Sequence, residues 1–508
     1  MASPTGDEPS GDEFSASVPH VDTLIIGAGL SGIGVACRIG RSMPGHSYLI
    51  LEGRRASGGT WDLFRYPGIR SDSDLHTLGY SFRPWTQDRA IADGADILSY
   101  IRDTAREYAV DRHIRFNLRA VRADWSSRDG RWMVHALDTL TREPARFTCR
   151  FLFSATGYYN YEAGHTPEFR DAELFRGTRV HPQHWPGDLD HTDRRVVVIG
   201  SGATAVTLVP AMARRAAHVT LLQRSPSYVL PVPSKDSVAR VLGRVAGPRR
   251  AYELTRRKNL LQQTFIYRSS RRFPRGAKAV IRFLQRRVLP SGYPLDPHFR
   301  PAYDPWDQRL CVVPDGDLFK AISSGRASVV TDRVERFTER GIVLRSGREL
   351  AADIVVTATG LDLLAFGGVA LSVDGRAVDV PRATAYKGMM LSGVPNFAFA
   401  IGYTNISWTL RVGLVGEYFC RLMAYMEARE HTSFEVGACP PGSTRKPMFD
   451  FAAGYAQRSA GIFPKQADSP LWRMNTDYTE DERILRYAAV DDGHIRFTRH
   501  TPDGVAPA

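Results

Sequence analysis

Cysteine is scarce in this sequence, and long apolar runs are absent from it. The chain of 508 residues contains five cysteines, and no two of them form a C-x-x-C pair. Such scattered cysteines indicate neither a disulfide framework nor a zinc site, and they favour a reducing, intracellular setting. Because no stretch of about eighteen consecutive apolar residues occurs, the sequence predicts no membrane-spanning helix. We therefore expect a cytoplasmic protein without a metal site.

Apolar residues are also rare over residues 1–20, which are rich in Ser, Gly, Pro and acids. This segment lacks the basic start and the apolar centre of a signal peptide. Its composition is typical of a chain that buries too little apolar surface to fold. We expect residues 1–20 to form a disordered N-terminal lead.

Acidic residues are nearly missing from one later stretch. Between Asp236 and Pro290 there are fifteen Lys and Arg but two acids, and this excess equals the net charge of +13 of the whole chain. The stretch predicts a basic helical insert over residues 236–300. Two interpretations stay open: a solvated insert beside an anionic cofactor, or peripheral contact with acidic lipids of a membrane. No nucleic-acid-binding motif accompanies the charge, so we exclude nucleic acid as a partner.

Two segments of the sequence share one pattern, in which an apolar strand, a glycine-rich turn, a helix and a second strand follow one another. In the first segment the glycines are Gly27, Gly29 and Gly32, and Glu52 ends the second strand. Glycines permit a tight turn and a close approach of the backbone to a pyrophosphate, which the helix N-terminus attracts. A carboxylate at the position of Glu52 binds the ribose hydroxyls of the adenosine. The segment therefore predicts a dinucleotide site.

The second segment differs from the first at the informative position. Its turn residues are Gly200, Gly202 and Ala205. Aligned with the first segment, it has Gln223 where Glu52 stands, and Arg224 follows. Loss of the carboxylate and gain of a guanidinium suit a 2′-phosphate, so we expect this site to bind NADPH rather than NADH.

Two strands that end in Ala-Thr-Gly, at Gly157 and Gly360, mark where the chain passes between the nucleotide sites. The order is nested, with an NADPH-binding domain inserted into an FAD-binding domain. The predicted fold class is α/β, with two Rossmann-like dinucleotide-binding domains in nested topology and a small helical insert. The predicted boundaries give the FAD-binding domain residues 21–170 and 353–508, and the NADPH-binding domain residues 171–352. We expect the tail after about residue 425 to wrap the surface.

Disulfide reductases also have two dinucleotide sites of this kind. Such an enzyme needs a redox dithiol near its flavin, and this chain has no close cysteine pair. The interpretation that remains is an enzyme in which reduced flavin passes its electrons to O2.

A further motif lies in the linker before the second segment, and it has the form F-x-G-x-x-x-H-x-x-x-W-P. Its residues are Phe175, Gly177, His181 and Trp185. This motif resembles the fingerprint of the FAD-dependent Baeyer–Villiger monooxygenases, which belong to the flavin-containing monooxygenase superfamily. Further segments are similar to this family, and the longest ones are most similar to a mycobacterial branch that oxidises thioamides. They are residues 58–61, 65–72 and 223–226, and the longer stretches 59–74, 305–310 and 386–393.

The resemblance implies a reaction. In this family NADPH reduces FAD, O2 adds to flavin C4a, and the resulting peroxide converts ketones into esters or lactones. Sulfides and thioamides are oxygenated by the same species, so we expect S-oxygenation as a side activity. A heteroatom (S or N) monooxygenase is the alternative, although relatives of that kind usually carry Tyr or Phe at the position of Trp185. An NADPH oxidase or a redox sensor that transfers no oxygen is a further alternative.

The resemblance also assigns catalytic residues. The family's active-site arginine corresponds to Arg309, where a fixed cation would stabilise negative charge in the transition state. The family's carboxylate corresponds to Asp72, which would orient that arginine. Many members have Lys just before the arginine, whereas Gln308 stands here, a departure from the family pattern at the NADP+ site.

Other assignments concern the cofactors, the hinge and the substrate. Residues expected to bind FAD beyond the first turn are Gly59, Thr60, Trp61 and Asp72, and those expected in the NADPH-binding turn are Gln223, Arg224 and Ser225. His181 is expected to organise the hinge between the domains. Residues 402–408 are expected to open a helix whose N-terminus faces the flavin. Phe366, Met389, Met390 and Trp408 suggest a small hydrophobic substrate, although core packing explains them equally well.

Overall fold

The computed structural model describes residues 18–87, 89–308, 310–449, 454–501 and 504–507. The two largest sheets together hold half of the strands in this part of the chain, and each of these sheets carries one of the glycine-rich turns. This arrangement confirms the predicted α/β class. The helices are Leu30–Ser42, Thr60–Leu63, Leu75–Leu78, Gly94–Glu107, Ala203–Met212, Ser237–Val245, Pro248–Arg272, Pro274–Val288, Leu295–Phe299, Asp317–Ser323, Trp408–Ala428, Gly454–Arg458 and Tyr478–Glu482.

The first sheet has nine strands within the described residues. In spatial order they are Arg376–Ala377, Ala370–Val373, Leu118–Ser126, Arg131–Asp138, Pro144–Ser154, His20–Ile26, Tyr48–Leu51 and Ile114–Arg115, and Phe397–Phe399 also pairs with Pro144–Ser154. His20–Ile26 runs parallel to Tyr48–Leu51, and helix Leu30–Ser42 makes the crossover between them. This helix is buried along most of its length and contacts helix Trp408–Ala428.

The second sheet has five parallel strands in the same part of the chain. In spatial order they are Ala327–Thr331, His218–Gln223, Arg195–Ile199, Ile354–Thr357 and Thr178–Val180. The central strands are continuous apolar runs because both faces of a parallel sheet are covered. Helix Ala203–Met212 follows Arg195–Ile199 and makes the crossover of the second nucleotide unit.

The structure corrects two predicted boundaries. Strand Ile354–Thr357 pairs with Arg195–Ile199, so the NADPH-binding domain extends to residue 357 and does not end at residue 352. The predicted lead over residues 1–20 is wrong at its end, because strand His20–Ile26 already begins at His20, which pairs with Thr148. The rest of that segment, up to residue 17, lies outside the described residues.

The two passages between the sheets lie side by side. Strand Tyr159–Gly164 lies where the chain leaves the first sheet for the second, and Leu361–Leu363 lies where the chain returns to the first sheet. These two strands pair antiparallel. His165 N–H also donates to the Gly360 carbonyl, at 3.1 Å. The two linkers therefore form one two-stranded ribbon.

The basic stretch folds as predicted into helices, mainly Ser237–Val245, Pro248–Arg272 and Pro274–Val288. Pro248–Arg272 packs on Leu75–Leu78 of the FAD-binding domain. Arg256 donates hydrogen bonds to the carbonyls of His76 (2.8 Å) and Gly79 (2.7 Å). These carbonyls lie at the C-terminal end of that short helix, where carbonyl groups have no partner within the helix. None of the described helices combines the length and the apolar composition needed to span a membrane.

The C-terminal tail does more than wrap the surface. Trp472 and Leu485 are fully buried, and Asp481 is 2% exposed, so the tail completes the core of the FAD-binding domain. The expectation that this segment only wraps the surface is therefore wrong. Besides the pair Tyr159–Gly164 and Leu361–Leu363, the strands outside the two main sheets are Val229–Val232 with Cys311–Pro314, Val334–Thr338 with Gly341–Leu344 and Glu349–Ala351, Ala385–Tyr386 with Met390–Leu391, Ser433–Val436 with Ile495–Thr501 and Gly504–Pro507, and Arg445–Pro447 with Lys465–Ala467.

Candidate active site

The first glycine-rich turn leaves no room for side chains. Gly27 has φ of +103°, and an added Cβ would lie 2.9 Å from the Ala155 carbonyl oxygen. A Cβ on Gly32 would lie 1.9 Å from the Gly27 carbonyl oxygen. Both glycines are therefore required by the fold itself, the first for the turn and the second for the close packing of helix Leu30–Ser42 on it.

A cavity of about 350 Å³ opens in front of this turn. It is lined by seven of the residues predicted to surround FAD: Gly27, Gly29, Glu52, Gly59, Thr60, Trp61 and Asp72. Gly29 and Gly59 approach each other so closely that a Cβ on Gly59 would lie 3.0 Å from the Gly29 Cα atom. Bare backbone therefore faces the cavity from two sides at the N-terminus of helix Leu30–Ser42.

Glu52 occupies the end of its strand, where the sequence predicts it. Its carboxylate accepts hydrogen bonds from the backbone N–H groups of Ala28 (2.8 Å) and Arg54 (3.0 Å). Burial raises the pKa of this carboxyl above its ordinary value, although the two N–H groups oppose the shift. These bonds fix the carboxylate at the cavity wall. A bare glycine cradle, a helix N-terminus and a fixed carboxylate together fit the pyrophosphate and the ribose of FAD.

Arg54 and Asp62 belong to the site but escaped the sequence analysis. Asp62 is buried and accepts hydrogen bonds from Arg54 (2.7 Å) and Arg102 (2.8 Å). Arg54 lines the cavity and also donates to the Gly59 carbonyl, at 3.2 Å. The buried carboxylate thus holds a cation beside the glycine cradle, where a phosphate carries the opposite charge.

A second buried network supports the aromatic wall of the cavity. Tyr403 lines the cavity, and its hydroxyl donates to Asp481 at 2.7 Å. Asp481 also forms an ion pair with Arg411, whose side chain is fully buried, and accepts from Asn475 at 2.9 Å. Burial raises the pKa of Tyr403 well above its ordinary value, so the hydroxyl stays a donor. The network turns the Tyr403 hydroxyl away from the cavity and leaves its ring in the wall.

Residues 402–408 open a helix, as the sequence predicts. Helix Trp408–Ala428 begins at Trp408, which lines the cavity and donates from its indole N–H to the Ser31 hydroxyl at 2.8 Å. Ser407 precedes it and lies 2.6 Å from the Thr77 hydroxyl. The first turn of this helix is therefore fixed to the wall of the cavity.

Asp72 and Arg309 are the two residues assigned to catalysis. Asp72 is partly buried and lines the cavity between Ser71 and Ser73. The Ser71 hydroxyl donates to the Ser73 carbonyl at 2.8 Å and closes a tight turn around it. Arg309 lies outside the described residues. Its neighbour Gln308 forms a bridge with Pro305 in a loop that follows the helical insert.

The second glycine-rich turn repeats the geometry of the first. Gly200 has φ of +146°, and a Cβ there would lie 2.2 Å from the Ala358 carbonyl oxygen. A Cβ on Gly202, which precedes helix Ala203–Met212, would meet no atom within 4 Å. Ala205 is fully buried in the packing between helix and sheet. The open approach to the helix N-terminus fits a second pyrophosphate.

Gln223 and Arg224 have different roles in the structure. Gln223 is 3% exposed, and its amide donates to the His298 carbonyl (2.8 Å) and the Thr331 hydroxyl (2.9 Å). It therefore fastens helix Leu295–Phe299 to the sheet. Arg224 and Ser225 are exposed beside it, and Arg224 forms no ion pair within the described part of the chain. A free guanidinium at this position fits a 2′-phosphate.

The fingerprint motif lies at the junction of the two domains. The Gln183 N–H donates to His181 Nδ1 at 3.2 Å, so Nε2 carries the proton and donates to the Gly360 carbonyl at 3.1 Å. The same ring packs on Gly164, where an added Cβ would lie 2.0 Å from His181 Cε1. His181 thus contacts strand Tyr159–Gly164 and the residue that directly precedes strand Leu361–Leu363. Burial lowers its pKa, which keeps the ring neutral.

The other fingerprint residues pack the linker onto the second sheet. Gly177 is required because a Cβ there would lie 2.4 Å from the Asp353 carbonyl oxygen. Phe175 is buried against Phe337, with ring centroids 6.0 Å apart. Trp185 is partly buried on the core of the second domain.

The residues chosen as signs of a hydrophobic substrate divide into two groups. Met389, Met390 and Phe366 are buried in the core and do not line the cavity. Trp408 alone of the four lines it. For the first three, core packing is the correct interpretation.

Comparisons with known proteins agree with this geometry. The chain matches the family model "Flavin-binding monooxygenase-like" over residues 80–374 and the model "NAD(P)-binding Rossmann-like domain" over residues 25–88. It is 50% identical over 490 residues to the FAD-containing monooxygenase EthA of Mycobacterium tuberculosis, which covers 96% of this chain and 99% of that protein. EthA of Mycolicibacterium smegmatis is 46% identical over 482 residues, which covers 95% and 98%.

A solved structure shares the fold. The oxidized steroid monooxygenase bound to NADP aligns with a TM-score of 0.74 at 21% identity, over 94% of this chain and 99% of that one. The nested two-domain fold is therefore confirmed. The family matches also confirm the predicted cofactors, FAD and NADPH, at the level of a flavin-binding enzyme with an NAD(P)-binding fold.

Proposed function

Because the chain belongs to the flavin-binding monooxygenase-like family, we propose that it uses NADPH and O2 to convert small apolar ketones into esters or lactones. We include S-oxygenation of sulfides or thioamides at the same site. One observation carries the proposal: the glycine-rich turn, Thr60, Trp61 and Asp72 line a single cavity. Trp185 favours the ketone reaction over the heteroatom alternative, since the motif around it resembles the Baeyer–Villiger fingerprint.

The chain's own residues bind and enclose the cofactor. Bound FAD, once reduced by NADPH, supplies the oxygen-activating chemistry. Glu52 would hold the adenosine ribose, and the N–H groups at the start of helix Leu30–Ser42 would hold the pyrophosphate. Tyr403 and Trp408 form an aromatic wall that excludes water, because the Tyr403 hydroxyl is bonded to the buried Asp481 and the Trp408 indole N–H is bonded to the Ser31 hydroxyl.

Arg309 and Asp72 act on the charge that develops during oxygen transfer. In the proposal, the Arg309 guanidinium donates hydrogen bonds to the carbonyl oxygen of the ketone as that oxygen becomes negative. Asp72 orients the guanidinium from its tight turn between Ser71 and Ser73. Loss of one fixed donor of this kind lowers kcat by about 10²–10³.

The test is oxygen transfer by the purified holoenzyme. We would supply NADPH, isotopically labelled O2 and either an aryl ketone or an aryl sulfide, then measure labelled product, NADPH consumed and hydrogen peroxide formed. We expect one labelled oxygen in the ester. Arg309→Ala and Asp72→Asn should lower ester formation, while the control Asp188→Asn, at an exposed site, should leave it unchanged.

Two results would contradict the proposal. If labelled oxygen enters sulfides or amines but never a ketone, the enzyme is a heteroatom monooxygenase. If every electron of NADPH appears in hydrogen peroxide, whatever ketone, sulfide or thioamide is added, the enzyme is an oxidase or a sensor.

A further inference from the structure

The outward side of the helical insert is unusually apolar for an exposed surface. Ten of the sixteen large apolar side chains exposed in the described chain lie in residues 238–283, a small fraction of its length. They include Val245 (76% exposed), Phe265 (70%) and Phe273 (66%). We call the exposed side of residues 237–288 the insert surface. Such a concentration marks an interaction site and is not the scatter normal for single surface residues.

Helix Pro248–Arg272 shows how this surface is built. Its buried residues, among them Tyr252, Thr255 and Asn259, face the FAD-binding domain. On the opposite side, residues three, four or seven apart form one stripe: Arg250, Leu254, Arg257, Leu261, Phe265 and Arg272. All six are exposed. Arginine and apolar residues thus alternate along one outward face.

The neighbouring helices repeat the arrangement. In Ser237–Val245 the exposed apolar residues are Val238, Val241 and Val245, with Arg244 beside them. In Pro274–Val288, Val280, Phe283 and Arg287 share the side opposite the buried Ile281. Three consecutive helices therefore expose the same mixture.

The charge of this surface is not neutralised. Glu253 is its one acid and is already paired with Arg249, and Asp236, which directly precedes the surface, is paired with Lys258. Eight arginines are exposed and form no ion pair within the residues that the structure describes: Arg240, Arg244, Arg250, Arg257, Arg272, Arg275, Arg286 and Arg287. The surface needs an anionic partner that also accepts apolar side chains.

We propose that the insert surface binds the face of a membrane that contains anionic phospholipids. Helices with arginine and apolar residues on one side lie in the interface, with the apolar groups in the acyl boundary and the guanidinium groups among the phosphates. A nucleic acid would satisfy the arginines but would leave the valines and leucines exposed to water. A second copy of this chain would bring two strongly positive surfaces together, which repel each other.

Binding of the insert surface to a membrane would place the candidate active site close to the lipid. Asn259 on the inner side of helix Pro248–Arg272 donates to Asp74 at 2.9 Å, two residues beyond Asp72 in the cavity wall. An apolar substrate dissolved in the membrane would therefore have a short path to the cavity. The binding itself does not depend on the proposed reaction.

The test is flotation of the holoenzyme with vesicles of phosphatidylcholine, alone or mixed with phosphatidylglycerol. The variant Arg250→Glu/Arg257→Glu/Arg272→Glu reverses three charges of the stripe. The control Arg128→Glu/Arg345→Glu/Arg348→Glu makes the same change of charge at exposed arginines elsewhere. A third variant, Leu254→Ser/Leu261→Ser/Phe265→Ser, keeps the charge and removes apolar groups. Flavin content and thermal unfolding would show that each variant is folded.

We expect binding only to the vesicles with phosphatidylglycerol, and weaker binding at high salt. Since each basic residue near an anionic surface strengthens binding by about fivefold, the three reversals should weaken it by at least about a hundredfold. The control should bind like the native protein, and the serine variant should bind more weakly even at low salt. Equal binding by native protein and reversal variant would overturn the proposal. So would tighter binding to duplex DNA, or a dimer that dissociates in the reversal variant without any vesicle binding.

Discussion

Replacement of Arg224 by Ala is expected to weaken NADPH binding and to leave NADH binding unchanged. The side chain is exposed and has no ion pair within the described residues, so its loss leaves no buried charge unpaired. The neighbouring Gln223 is unsuitable for this test because its amide fastens a helix to the sheet. An effect of Arg224→Ala therefore reports on the ligand and not on folding.

The magnitude follows from the contact that is lost. A hydrogen bond to a charged group contributes about 1.5–3 kcal/mol, and about 1.4 kcal/mol corresponds to a factor of ten in affinity. We therefore expect Arg224→Ala to raise the dissociation constant of NADPH by about tenfold to a hundredfold, nearer the lower value because the site is exposed to solvent. Arg224→Lys should have a dissociation constant for NADPH between those of the native protein and Arg224→Ala, since it keeps the charge but loses the planar guanidinium group.

The assay is anaerobic reduction of the bound flavin at increasing NADPH or NADH, followed by its absorbance. The dependence on concentration gives the dissociation constant, and the plateau gives the rate of hydride transfer. Only the dissociation constant for NADPH should change. Arg345→Ala, at another exposed arginine, is the control. Equal weakening of NADPH and NADH, or a lower plateau with unchanged affinity, would refute the assignment of Arg224 to the 2′-phosphate.

Three further predictions concern stability and cofactor binding. Asp481→Ala leaves the fully buried Arg411 without its ion pair, and urea denaturation should show a free energy of unfolding lower by about 3–5 kcal/mol. The control is Asp188→Ala at an exposed aspartate, and an equally small loss of stability in both variants would contradict the buried network. Gly32→Ala would place a Cβ 1.9 Å from the Gly27 carbonyl oxygen and should yield protein without FAD, as measured by the ratio of flavin absorbance to protein absorbance. The control Gly243→Ala, where a Cβ would meet no atom within 4 Å, should bind FAD normally. Full FAD occupancy in Gly32→Ala would disprove the close packing. Burial lowers the pKa of His181 below the ordinary value of 6.5, so its contribution to stability is complete above that pH and is lost as the pH falls through the lower pKa of the folded state. His181→Gln should therefore flatten the dependence of the free energy of unfolding on pH in this range, whereas His184→Gln, at an exposed histidine, should not. Identical pH dependence in the native protein and both variants would exclude the effect.

The local patterns of the sequence were enough to predict both nucleotide units. Gly27, Gly32 and Glu52 each follow from a rule that involves only neighbouring residues along the chain, namely a turn, a close contact and a strand end. The same rule placed Gly200 and the passages at Gly157 and Gly360. Positions of this kind could be predicted because the backbone geometry of a single βαβ unit determines them.

The parts of the site that were missed depend on distant residues. Asp481 lies 70 residues beyond Arg411 in the chain, and no local pattern indicates that the two will pair. Gln223 aligned correctly with Glu52, but the sequence could not show that helix Leu295–Phe299 covers it. The boundary at residue 352 was wrong for the same reason, since only the pairing of Ile354–Thr357 assigns that strand to the second sheet.

The paired linkers restrict how the two nucleotide domains can turn relative to each other. A single tether would allow one body to swivel freely about the chain axis. Here Tyr159–Gly164 and Leu361–Leu363 run side by side and are joined by backbone hydrogen bonds, with His181 attached to both passages. Twisting such a pair stretches the bonds between its strands, whereas flexing it across its flat face does not. We therefore expect this joint to bend about a single axis, so that the second nucleotide domain would return to the same position relative to the first domain after each movement.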